Sequence, residues 1–293
     1  MADCANCGTA QPDGARFCSK CGKPIQGAPP PGEGEDWAAP PPPEKKSNAT
    51  TIVIVCVCAF VGLCLFVPII AAIAIPNLLA AKVSSNETAA IATLRNLASC
   101  QAQIQTSGKI DADEDGIGEY GTFLELTGSV GVKNGFFPAE GADLAAGDFG
   151  EQGSRVNPPI MSQALANVDP GGIVTKSGYC FVIYLPDSSK QGGWVHETGP
   201  AGSVGLAGGT GRVGVDAAEV RWCAYAWPVA RGNSGNRCFF VNQDGDVLQS
   251  ANDNAKHSGP MAPPPPESAF PQGKAAPVPG QPGRDGDVWK VTN

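Results

Sequence analysis

The chain has 293 residues, a formal net charge of -8 and an isoelectric point near 4.8. That balance excludes a nucleic-acid or anionic-lipid surface as its main business, because such partners need a net positive field. The length accommodates one substantial core of about 100–200 residues plus appendages.

The first local signal is Cys4-Ala-Asn-Cys7-Gly8 followed by Cys18-Ser-Lys-Cys21-Gly22. Two Cys-x-x-Cys knuckles can set four thiolates tetrahedrally around one zinc ion. Glycine after each pair lets the backbone turn its amides toward the sulfurs, and Phe17 is expected to supply a small apolar cover. With all four positions filled by protein, Cys4, Cys7, Cys18 and Cys21 form a structural rather than a catalytic site. Residues 1–27 are therefore expected to be a zinc ribbon that resembles the zinc-ribbon family. Arg16, Lys20 and Lys23 are offset by Asp3 and Asp13, so a protein partner suits this module better than a nucleic acid.

Residues 28–50 read as a Pro/Gly-rich linker, extended and stiff. Over 51–75 the side chains are nearly all apolar, with no charged residue between 47 and 81. A bilayer core needs about 20 such residues as helix, so a transmembrane helix is expected there. Lys45 and Lys46 at its leading edge place the N-terminus on the cytosolic side and the remainder outside.

Beyond Pro76 the chain is rich in alanine, and Ile91, Leu94, Leu97, Cys100 or Gln101, and Ile104 recur at helical spacing up to Ser107-Gly108. Asp111, Asp113 and Asp115 with Gly116 begin like a calcium loop. Thr122 stands where that loop would carry its bidentate glutamate, so Glu119 would supply the later ligand. The alternative is a plain acidic turn. From 121 the pattern turns to loops and strands, opening with a short element at Phe123-Leu-Glu-Leu-Thr. The best strands run over 178–185, 219–227 and 237–242, with a turn at 242–246 leading into 247–250, which suits an antiparallel meander. Cys100, Cys180, Cys223 and Cys238 are an even set, read as disulfide partners with three connectivities open, against buried free thiols. Residues 253–293 read as a Pro/Gly-rich disordered tail. His196 and His257 sit in no nucleophile or metal motif, so no enzyme is expected.

Ile70-Ala-Ala-Ile-Ala-Ile-Pro-Asn-Leu-Leu, an alanine-rich amphipathic helix and a late antiparallel sheet together resemble the type IV pilins and type II secretion pseudopilins. The specific part of the match is Ala-Ile-Pro-Asn-Leu. The resemblance implies an α+β domain over 76–252, in which the transmembrane helix continues into a long pilin-like helix packed on the sheet. It implies a single pass through a bacterial inner membrane, with the lipid bilayer, protein partners on both sides and further copies of the chain as contacts. The Gly-Phe processing signal and the glutamate of prepilins have no counterpart near Ile54, Val55 and Ala59. Normal polymerisation is not expected. The functional expectation is a pilin-like interaction protein with a zinc-ribbon docking module, linked to pilus or secretion-like assemblies and holding zinc and, at the acidic loop, calcium. A transmembrane sensor with an external ligand site is the alternative.

Overall fold

The computed structural model describes residues 2–13, 15–25, 49–132, 155–188, 192–198, 205–207 and 213–292. The chain divides into two compact units, Met1–Cys64 and Leu65–Asn293. Nearly all of the linker expected over 28–50 lies outside the described residues.

In the first unit, strands β1 (Ala2–Asp3) and β2 (Ala10–Gln11) pair antiparallel, Ala2 opposite Gln11. A bridge between Phe17 and Pro24 closes the second loop of the ribbon. Helix α1 (Ala49–Ser107) runs for 59 residues. Its side chains at 49–51, 65, 66, 68, 69 and 71 fall outside the description.

The membrane span expected over 51–75 is corrected: among the described residues no helix is long and apolar enough to cross a membrane. The expected α+β class, a membrane helix passing into a pilin-like helix, is corrected with it. What dominates the described residues is a large antiparallel sheet with different covers on its two faces.

The sheet runs β10-β9-β8-β7-β4-β5-β6 with β3 also on β4, every pair antiparallel. Its strands are β3 (Val174–Lys176), β4 (Tyr179–Pro186), β5 (Trp194–Thr198), β6 (Gly205–Ala207), β7 (Cys223–Pro228), β8 (Cys238–Asn242), β9 (Leu248–Ser250) and β10 (Lys290–Val291). Aromatic and β-branched residues dominate β4, β7 and β8, and every residue of the three is buried. Full burial on both faces explains why these strands read as continuous apolar runs rather than alternating ones.

One face, with Phe181, Ile183, Ala224, Ala226, Phe239 and Val241, packs on Ala90, Leu94, Leu97, Cys100 and Ile104 of α1. Helical spacing brings those five side chains onto one stripe. Glu87 fixes the helix over the β7–β8 connection: its carboxylate accepts from Asn236 N at 2.9 Å and Arg237 Nε at 2.8 Å. Asn86 Nδ2 donates to Ser234 O at 2.8 Å. Gly235 is required here, since a Cβ would stand 2.2 Å from Tyr179 Oη.

The opposite face carries Cys180, Val182, Tyr184, Cys223, Tyr225, Trp227, Cys238, Phe240 and Leu248. Its cover is the segment expected to be a disordered tail, and that expectation is corrected. Ala269, Phe270 and Trp289 are buried on this face, and β10 pairs with β9. Polar tips of the sheet hold the wrap in place: Tyr184 Oη donates to Pro264 O at 2.8 Å, Tyr225 Oη to Pro266 O at 2.9 Å and Trp227 Nε1 to Gly259 O at 2.7 Å. Asp287 accepts from the backbone of Asp253, Asn254 and Ala255, tying the start of the wrap to its end.

Phe123–Leu126 forms a one-turn helix, α2, where the sequence suggested a loop or strand element. Thr122 and Glu125 make a reciprocal capping box, which satisfies two orphan amides and selects the helical turn. The start of the strand expected over 219–227 is displaced by α3 (Val215–Ala218) and the turn after it.

Candidate metal centre

The two knuckles of the ribbon repeat one geometry. Gly8 N donates to Cys4 O at 2.8 Å, and Gly22 N donates to Cys18 O at 2.9 Å. Both glycines have positive φ, +68° and +70°, which lets each loop turn sharply behind its thiols. Cys4 and Cys18 are buried, while Cys7 and Cys21 are exposed. Gln11 is buried beneath them, its Nε2 3.6 Å from Cys18 Sγ and its Oε1 accepting from Ser19 N.

The four sulfurs lie within 4.8 Å of one another. Cys4 and Cys21 are 3.7 Å apart and Cys7 and Cys18 3.6 Å. A tetrahedron with Zn–S bonds of about 2.3 Å has edges of about 3.8 Å, so the spacing fits a four-thiolate zinc ion. The Cys7 thiol is pushed down to about 6, first by the hydroxyl and then by the backbone of Thr9. For Cys21 the Lys23 amide is the largest single influence and favours the thiolate, but burial and the hydrogen bonds to Cys18, Cys7 and Cys4 together outweigh it and push the thiol up to about 11. A divalent ion bound to all four would resolve that opposition, holding every sulfur deprotonated.

Residues 4–25 match the zinc-ribbon domain family. They form a zinc-ribbon domain with four close cysteines. No curated protein and no solved structure matches the chain, so the resemblance to pilins rests on the quoted residues alone. Phe17, expected as an apolar cover, is instead 66% exposed.

The acidic loop is arranged differently from the calcium expectation. Asp111, Asp113 and Asp115 lie close together, and Asp113 is also close to Asp216 and Glu219 of the distant α3 region. Glu119 turns away from them into the core, where its Oε1 accepts from Ala112 N at 2.6 Å. Calcium with Glu119 as the later ligand is not supported. Asp111 Oδ2 accepts from Gly116 N at 3.1 Å and Asp115 Oδ1 from Ile117 N at 2.8 Å, while Asp111 Oδ1 is buried without a hydrogen-bond partner. No spacing rule could have shown that Glu119 faces inward or that residues a hundred positions later approach Asp113.

The expected disulfides are likewise corrected, since all eleven cysteines are free. Cys180, Cys223 and Cys238 do share a sheet face, and Cys100 lies in the cluster on the other face. Cys180 stands opposite Trp227 on β7, and continuing the β7–β8 register sets Trp227 opposite Cys238. Two strand spacings, about 9–10 Å, exceed the ~7 Å limit for a bridge. Cys223 sits further along, opposite Tyr184 and Asn242. Burial pushes the Cys180 thiol up to about 11 and raises Cys223 and Cys238 as well, so these groups act as small apolar side chains.

His196 on β5 stacks edge-on against Tyr184 with ring centroids 5.5 Å apart, and burial lowers its pKa. It belongs to the sheet rather than to a cleft. A cavity of about 560 Å³ instead lies where Trp194 meets the C-terminal wrap, with His257, Ser268 and Asp285 in its walls. Sequence reasoning missed it, because its C-terminal wall was read as disordered.

Proposed function

We propose that this protein is a non-enzymatic interaction protein, with the zinc ribbon as a docking module for a protein partner and the β domain as a second contact surface. The observation that carries this reading is the four-cysteine cluster. Cys4, Cys7, Cys18 and Cys21 would fill every position on a tetrahedral zinc, leaving none for water or substrate. The ion would supply a cross-link that holds two knuckles in one rigid shape, which so short a segment cannot achieve by burying apolar surface. Exposed Arg16, Phe17, Lys20 and Lys23 give the folded ribbon an apolar and basic surface for a protein to contact. The resemblance of Ile70–Leu79 to pilins adds a direction for the search, an assembly of pilus or secretion type.

The test combines metal analysis with cross-linking of the full chain in its native cells. One zinc per chain is expected, falling to none in the double variant Cys7→Ser/Cys18→Ser. Adducts cross-linked through the ribbon should disappear in that variant while the β domain keeps its unfolding midpoint. An unchanged adduct profile after zinc loss would remove the docking role, and a wild-type chain without zinc would remove the metal reading itself.

A further inference from the structure

We propose that the cavity between Trp194 and the C-terminal wrap is a binding site for an alkylammonium group, carried by a small amine or by a lysine side chain. The inference is independent of the ribbon and rests on the polar groups that this cavity leaves unanswered. Ser268 is 2% exposed, and its Oγ has no hydrogen-bond partner. His257 Nε2 is also buried without a partner. Its Nδ1 lies 3.3 Å from Ala262 O, which assigns the ring proton to Nδ1 and leaves Nε2 as an acceptor. Burial lowers the pKa of this ring, so it is neutral near pH 7.

The charges in the walls point the same way. Glu267 is paired with Arg284, so that guanidinium is already engaged. Asp285 accepts from Asp287 N at 2.9 Å and from Trp289 Nε1, but it has no cation within ion-pair distance among the described residues. Its carboxyl, half-buried, is pushed up to about 6, chiefly by that burial. Among the described lining residues the site therefore offers one carboxylate without an ion pair and two further acceptors, and its one cationic side chain, Arg284, is engaged by Glu267.

An ammonium offers three donors to a cavity whose walls include Asp285, Ser268 and His257. An anion would meet Asp285 and an occupied arginine, and a neutral hydroxyl would leave the carboxylate uncompensated. Trp194, Pro265 and Pro266 supply apolar wall for the stem of the ligand. The cavity volume, about 560 Å³, is within the range of small-ligand sites.

Titration calorimetry on the full chain would compare pentylamine with pentanol and pentanoate, probes of one size and three charges. Pentylamine is expected to bind at least tenfold more tightly than pentanol, and its affinity should fall with added salt. Asp285→Asn should abolish that preference, and Ser268→Ala should reduce it several-fold at an unchanged unfolding midpoint. A blocked peptide with one lysine, set against its acetyl-lysine twin, distinguishes the sources. Tighter binding than pentylamine assigns the site to a polypeptide, and weaker binding assigns it to a free amine. Equal affinity for amine and alcohol, preference for pentanoate, or no amine binding at millimolar concentration would overturn the proposal, and none of these outcomes requires a variant to fold.

Discussion

The two faces of the sheet are sealed in opposite ways. On one, α1 lays a periodic stripe, Leu94, Leu97, Cys100 and Ile104, against Phe181, Ile183 and Phe239. On the other, a chain rich in proline and glycine contributes a few anchors, Ala269, Phe270 and Trp289, and takes the rest of its order from hydrogen bonds to Tyr184, Tyr225 and Trp227. A helix satisfies its own backbone and needs only an apolar stripe. An irregular segment must have its carbonyls met by the surface beneath it, which is why the covered face carries tyrosine and tryptophan rather than valine and leucine alone.

The largest expected effect tests whether the irregular cover matters as much as the helix. Trp289 and Leu94 are each 0% exposed, on opposite faces. Trp289→Ala should cost about 3–5 kcal/mol and Leu94→Ala about 2–5 kcal/mol, read as shifts in the urea midpoint at unchanged slope. A loss for Trp289→Ala below about 1 kcal/mol would mean that the wrap is an ornament on a domain held by the helix alone.

A smaller loss is expected at the polar fastening of the helix. Glu87 is 5% exposed and accepts two backbone amides as well as the Arg237 side chain. Glu87→Ala strands those amides and should cost about 1–3 kcal/mol in the same measurement. Arg237→Ala should cost less, since its side chain is partly solvated and two of the bonds to Glu87 come from backbone. Equal losses would show that the ion pair, not the amides, fastens the helix.

The third effect is a dependence on pH. Glu197 on β5 is 1% exposed, and burial pushes its carboxyl up to about 8 against the opposing hydrogen bonds from Leu124 N and Phe123 N. An unfolded glutamate titrates near ~4.3. Between those values the folded chain keeps a proton that the unfolded chain has released, so stability is highest at the acidic end and falls as pH rises toward 8. Asp285, up to about 6, adds in the same direction. The urea midpoint should therefore drop between pH 5 and pH 8, and Glu197→Gln should flatten most of that slope. A midpoint that rises across the window would mean that Glu197 is ionised in the fold and held by the amides of α2.

This contrast also accounts for what was legible in the sequence. Three of the observed strands, β4, β7 and β8, overlap the aromatic and β-branched runs read from the sequence, β4 and β7 each running one residue past them, and the helical stripe on α1 follows from its spacing. The ribbon was legible for a different reason, because metal chemistry fixes residue type and interval together. The wrap has neither signal. Its buried residues are single anchors separated by proline and glycine, and its order depends on partners many residues away, such as Tyr184 with Pro264. Glu119 failed in the same way, since spacing alone cannot show that its carboxylate points at Ala112 N.

The smallest expected effect is a null, and it bears on the sheet face under the wrap. Cys180, Cys223 and Cys238 are buried thiols there, separated by Trp227 and by strand spacing. Reductant should leave the urea midpoint unchanged, because no bridge constrains the unfolded chain. Thiol-specific reagent should label these three only as fast as the wrap opens, so Trp289→Ala should speed their labelling while Leu94→Ala speeds that of Cys100 more. If both variants accelerated all four cysteines equally, the two covers would open as one unit, and the separation of the faces would be structural without being energetic.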